Sequence, residues 1–229
     1  MKSIIARNSI VVGLLFSSQV FAVPSEELIA QYNQAAQGDE AKVEVVYEQL
    51  QSDLERNGAD ALSLVYLGST QTLMGRDAFM PWNKMKHTEQ GLATIAKGLD
   101  LLANDTTSLE KQPIRQGLPE SILSRAIAAS TFTSLPDMFN HFERGYDLYL
   151  DLLAEERFTS QPFATTSWIY FYALKAAIRA EDTSQAERWL EEMNKRDSNN
   201  PMTLQAEAAF SEIKTSLTNV SLTNAKQVG

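Results

Sequence analysis

The feature that most constrains this chain is a spacing. Apolar side chains recur every three or four residues in block after block, and each block closes on Gly, Asn or Pro. Val43, Val46, Tyr47, Leu50 and Leu54 form one such stripe, closed by Asn57 and Gly58, and Leu92, Ile95, Ala96, Leu99 and Leu102 form another, closed by Asn104 and Asp105. That period puts the apolar groups on one face of an α-helix, whereas a half-buried strand needs strict alternation. β-Branched residues are scattered, and no segment reads as a strand. The expectation is an all-α chain of antiparallel helical hairpins.

The punctuation sets the helix ends. Ser25 caps a first helix that reaches about Ala36, with Glu26 and Glu27 favoured by the positive end of its dipole. A second helix spans residues 39–57, and Asp60 caps a third that carries Leu64, Leu67 and Gly68 on one face. Residues 75–83 break the rhythm, because a helix does not continue through Pro81. Residues 106–119, with two prolines and Gly117, are the expected loop and a hinge candidate. Further helices are predicted over 120–132, from Leu135 to near Arg157, and over 164–179, 182–196 and 201–216. The Ser, Thr and Asn of residues 217–229 predict a flexible tail.

At the other end, Lys2 and Arg7 precede the apolar run Ile10 to Phe16, and the polar Ser17, Ser18 and Gln19 lead to Val20, Phe21 and Ala22. This is the pattern of a secretory signal peptide over residues 1–22, cut after Ala22. A membrane span needs about 20 predominantly apolar residues, more than this interrupted run supplies. Export to the periplasm of a Gram-negative-type bacterium is expected, with no stable membrane anchor. The chain has no cysteine. It does not need disulfides, since a chain of about 200 residues buries roughly 70% of its unfolded surface. The formal charge of −9 becomes −11 once Lys2 and Arg7 leave, which disfavours nucleic acid and anionic membranes through bulk electrostatics.

Residues 181–201 hold Ala186 where two helices would cross, Leu190 and Met193 one and two turns on, and an Asp197 to Pro201 exit turn. Upstream, Tyr170, Ala173, Leu174 and Ala177 stand at matching first-helix positions. This stretch, about 165–201, resembles a tetratricopeptide repeat (TPR). Residues 26–103 resemble it more weakly, because an insertion around Pro81 displaces the second helix and the period of about 34 residues is lost. The resemblance implies a short TPR-like array over residues 23–216 and a concave surface that holds a peptide or protein partner.

No catalytic motif stands out. The two histidines, His87 and His141, lack ligand partners at helical spacing, and there is no nucleophile elbow, phosphate loop or dinucleotide fingerprint. No metal, cofactor or catalytic residue is assigned. Two candidate partner-binding groups remain. The first is Arg76, Trp82, Lys84 and Lys86, either a recognition loop anchored by Trp82 or a structural plug in which Phe79 and Trp82 are buried while Arg76 and Asp77 tie helices together. The second is Trp168, Phe171, Lys175 and Arg179, which project either to the concave side or against the Tyr146 helix. The expected function is a non-catalytic protein-interaction module or scaffold of the cell envelope. The alternative is a periplasmic small-molecule binder or transporter accessory that uses the aromatic interior between Phe132 and Tyr172.

Overall fold

The computed structural model describes residues 24–227, with side chains described as far as residue 215. The segment assigned to the signal peptide, 1–22, lies outside the described residues. Ten α-helices occur among the described residues: α1 Glu26–Ala36, α2 Glu40–Asn57, α3 Ala61–Asp77, α4 Pro81–Ala103, α5 Glu120–Ser134, α6 Phe142–Ala154, α7 Glu156–Thr159, α8 Phe163–Arg179, α9 Thr183–Asp197 and α10 Pro201–Gln227. Several start where a side chain satisfies a free backbone N–H, among them α10, where Asn200 accepts from Met202 N at 2.9 Å, and α5, where Gln112 accepts from Ser121 N at 3.1 Å. The Ser25 hydroxyl accepts from Leu28 N at 3.1 Å, Asp60 from Ser63 N at 2.8 Å and Asp182 from Gln185 N at 3.0 Å. Pro81 opens α4 at a first-turn position, where a missing N–H costs nothing.

The helices stack as antiparallel hairpins. The first helices α1, α3, α5, α8 and α10 pack in succession, while α2, α4, α6 and α9 each pack on their own first helix and on the next one. This is a two-layered helical array, with α3 and α5 at its centre. Both are buried on most sides: Val65, Tyr66, Ser69 and Thr70 on α3, and Ile122, Ala126, Ala129 and Phe132 on α5, are covered. A helix covered all round carries no clear amphipathic stripe. Of the packing positions predicted for the last complete hairpin, Tyr170, Ala173, Leu174, Ala177, Ala186 and Met193 are buried, and Leu190 is partly buried.

The first helices run parallel, so their ends collect on two edges. At the carboxyl edge, Arg76 at the end of α3 donates to Ala35 O at 3.1 Å at the end of α1, and Arg179 at the end of α8 donates to Thr133 O at 2.7 Å at the end of α5. Between α3 and α5, the hydroxyls of Ser69 in the middle of α3 and Thr131 in the last turn of α5 meet at 2.8 Å.

The α3–α4 hairpin is the closest pair in the molecule. A Cβ on Gly68 would stand 2.6 Å from Gly91 O, and a Cβ on Gly91 would stand 2.5 Å from Gly68 O. Gly98 faces Ala61 and Val65 in the same antiparallel register. The buried stripe of α4 is therefore Thr88, Gly91, Leu92, Ile95 and Gly98, whereas the predicted Ala96, Leu99 and Leu102 are only partly covered. Nor is there an insertion at Pro81: only residues 78–80 separate two directly paired helices.

Three further expectations change. Within the predicted loop, Ile114–Arg115 (β1) and Leu118–Pro119 (β2) pair as a two-stranded antiparallel hairpin. Gln116 and Gly117 both take positive φ, 51° and 74°, the geometry of a tight two-residue turn. The turn is anchored: Gln116 N donates to Glu26 Oε1 at 3.0 Å, Leu118 is buried, and a Cβ on Gly117 would meet Thr165. It thereby bridges α1 and α8. The helix predicted from Leu135 is broken, because Asp137–Phe139 form one 3-10 turn and Asn140 adopts left-handed backbone, which Asn tolerates. It also ends earlier, at Ala154, where Glu155 turns extended before α7. Finally, α10 reaches Gln227, through most of the segment predicted as a tail.

Candidate functional site

The two predicted groups occupy different places. Around the α3–α4 turn, Arg76 is held by the Asp77 carboxylate at 2.6 Å and by the carbonyls ending α1, and Lys84 Nζ donates to Arg76 O at 2.9 Å. Both cations neutralise helix carboxyl ends, where the backbone dipole is negative. The Asp77 pair, with its charged hydrogen bonds, raises the Arg76 pKa further. The aromatics do the opposite of what burial statistics predict. Phe79 is 88% exposed and Trp82 67% exposed, so neither plugs the array. Lys86 is exposed beside them. The group thus combines a structural tie, Arg76 with Lys84, and an outward apolar tip.

The second group forms a strip along α8, at spacings of three, four and four residues from Trp168 through Phe171 and Lys175 to Arg179. Trp168 and Phe171 are half-buried against the core. Trp168 meets Tyr172 edge-on at 6.4 Å, and Lys175 Nζ lies 5.6 Å and 5.8 Å from the Phe171 and Tyr172 ring centres. That geometry suits a cation on an aromatic face. Arg179 is committed elsewhere: it donates to Thr133 O and Leu135 O, pairs with Asp137 and stacks over Phe142 at 4.4 Å. Of the eight predicted residues, Arg76, Lys84 and Arg179 hold helix ends. The exposed chemistry rests on Trp82, Lys86, Trp168, Phe171 and Lys175.

Three features escaped sequence reasoning. Tyr172, half open to solvent, completes the α8 strip; its i+4 spacing from Trp168 was the available signal. Met138, 70% exposed, stands on the carboxyl edge after α5. The third is a cleft of about 470 Å³ between the end of α4, the following loop, α5 and α6. Arg125, Arg144 and Arg157 line it together with Asp105, Asp147 and Asp151. Beside it Glu155 accepts from Arg125 at 2.5 and 2.9 Å and from Arg157 at 2.6 Å, and these cations, Arg125 first, hold its carboxyl down at about 2.

The interior between Phe132 and Tyr172 is filled. Phe132, Tyr149, Phe158 and Tyr170 are fully buried there, and burial pushes the Tyr149 hydroxyl well up. At the amino edge Glu120 opens α5 half-buried, with its Oε1 unpaired. Burial first, then the Asp60 carboxylate, push it up to about 7 against the pull of Arg115. Among the described residues no group of three or more His, Asp or Glu side chains is placed to hold a metal ion. Comparison with protein-family models, with curated proteins and with solved structures finds no match.

Proposed function

We propose that the chain is a non-catalytic interaction module of the bacterial cell envelope, TPR-like in construction, that holds a peptide or protein segment against its first-helix layer. The observation that carries this reading is the α8 strip, where half-buried Trp168 and Phe171 and the more exposed Tyr172 line up together and the Lys175 ammonium lies over the Phe171 and Tyr172 rings. Rigid aromatics bind at low entropic cost, and a cation beside them selects an acidic or carboxylate-bearing segment. Hairpin stacking supports the TPR-like reading. The test is cross-linking in intact cells with the parent chain and a Trp168→Ala/Lys175→Glu variant. A reproducible partner captured by the parent and lost from the variant supports the module; capture that the variant leaves unchanged refutes it.

The cleft between α4 and α6 favours a second reading, a binder of small charged molecules. Its mixed arginines and aspartates suit a zwitterion better than an apolar ligand. Thermal-shift screening with amino acids and dipeptides tests it, and a flat response that also persists in Arg144→Ala counts against it.

A further inference from the structure

The carboxyl edge carries an apolar rim that the α8 strip does not use. Because α3 and α5 run parallel and meet at Ser69 and Thr131, the turns that follow them lie on the same edge, with α3 running about five residues further past the contact than α5. The first presents Phe79, Met80 and Trp82 and the second Met138, all four exposed. They project as separate knobs from two turns, Phe79 nearly free of contact with the rest of the chain. The hairpin beneath is held by the glycine contacts between α3 and α4, so the tip is a fixed projection.

Charge on this edge is unequal. The carboxylates of Asp77 and Asp137 are paired with Arg76 and Arg179, and Lys86 follows Trp82 by four residues on the same face of α4, while Lys84 is held by Arg76 O. Asp39 and Glu40 at the start of α2, Glu143 at the start of α6 and Glu181 and Asp182 before α9 lie on the same edge and oppose an anion there. Acidic groups elsewhere on the molecule are screened beyond about 8 Å at physiological salt.

We infer that this rim makes a reversible, peripheral contact with a phospholipid bilayer, with Phe79, Met80, Trp82 and Met138 entering the headgroup boundary and Lys86 meeting a lipid phosphate. Isolated convex knobs need matching holes in a protein partner, but a fluid interface accepts them without any. Trp and Phe with adjacent lysines are the side chains that settle at that boundary. Among the described residues no helix is long and apolar enough to cross a membrane, so the contact lies on the bilayer surface. Apolar burial leads the contact, since the carboxylates of this edge offset part of the lysine attraction.

The test is co-sedimentation of the full chain with phosphatidylcholine vesicles and with vesicles of phosphatidylcholine and phosphatidylglycerol, alongside Phe79→Ala/Trp82→Ala, Trp82→Phe and Lys86→Glu. All variants carry the same residues 1–23, so a difference between them reports the rim. The parent binds both vesicle types, a few-fold better with phosphatidylglycerol, and its tryptophan emission shifts to the blue. The double alanine variant, its fold checked by circular dichroism, partitions at least about tenfold more weakly. Trp82→Phe still binds but loses the shift, and Lys86→Glu loses only the phosphatidylglycerol preference. Equal binding of parent and double variant overturns the inference, as does no binding of the parent. So does a double variant that loses a protein partner while vesicle binding is nil, which makes the rim a protein contact.

Discussion

Gly91 lies where helix propensity and packing make opposite demands, and Gly91→Ala separates them. Inside a helix, Ala is favoured over Gly by about 1 kcal/mol, so propensity alone predicts a more stable protein. The structure predicts the reverse. The new Cβ would stand 2.5 Å from Gly68 O, 2.7 Å from Thr72 Cγ2 and 2.9 Å from Thr72 N. A carbon and a carbonyl oxygen rest at about 3.3 Å or more, so α4 must move away from α3 by roughly 0.8 Å. Two of the three obstacles are backbone of a helix buried on most sides, which cannot rotate aside. Overpacking costs about 1–3 kcal/mol, and an immovable backbone puts this site near the upper end. Net of propensity, the variant loses about 2 kcal/mol, a fall in Tm of roughly 4–8 °C for a chain of this size.

The assay is thermal and urea unfolding followed by circular dichroism, with Ala93→Gly as the internal reference. Ala93 is exposed on the same helix, so its replacement reports propensity alone and costs about 1 kcal/mol. Gly→Ala and Ala→Gly two residues apart should both destabilise, the first more. A Gly91→Ala protein as stable as the parent, or more so, would refute the close α3–α4 approach.

Two other outcomes follow from the edges of the array. Glu120 titrates at about 7 in the folded protein against an ordinary value of 4.5, so the native state holds its proton more tightly. That stabilisation is complete below pH 4.5 and is lost as pH rises through 7; Glu120→Gln should therefore raise Tm at pH 8 by the equivalent of about 1 kcal/mol, after discounting for solvent screening, and leave it unchanged at pH 4. At the other edge, Arg179→Ala uncaps the end of α5 and should cost about 1–2 kcal/mol, with faster amide exchange over residues 133–139. Arg179→Lys should recover only part of it, because one ammonium does not span Thr133, Leu135 and Asp137.

Local chemistry made most of the helices legible. Ser25, Asp60 and Asp182 cap from fixed sequence offsets, and Pro201 marks a first turn whatever the rest of the chain does, whereas Pro81 opens α4 where the sequence read a break. The glycine contact was not legible. Gly68 reads as part of the packing face of its helix, but Gly91 reads singly as a weak helix former, and the contact between them depends on an antiparallel register that exists only once α3 and α4 pair. The β-hairpin was hidden for a different reason, since strands of two residues are too short to show alternation. The turn at Asn140 was missed because Asp137 to Phe139 carries apolar residues at helical spacing, and only the left-handed conformation of Asn140 separates them from α6.

The candidate site was legible in residue type but not in direction. Parallel first helices gather their carbonyl ends on one edge, and an edge of negative dipoles attracts the nearest cations. Arg76, Lys84 and Arg179 satisfy that demand, so three of the five cations that read as partner-binding are engaged within the chain. The apolar residues move the other way. Three residues connect α3 to α4 across a glycine contact that brings the helices to backbone distance, which leaves no room between their ends for the Phe79 ring. It must point outward, and Trp82, on the first turn of α4, follows it into solvent. The same close packing that fixes the hairpin therefore creates its exposed tip. An Ala at Gly91 that spreads α3 and α4 should alter the rim as well as the stability, and vesicle binding by that variant links the two.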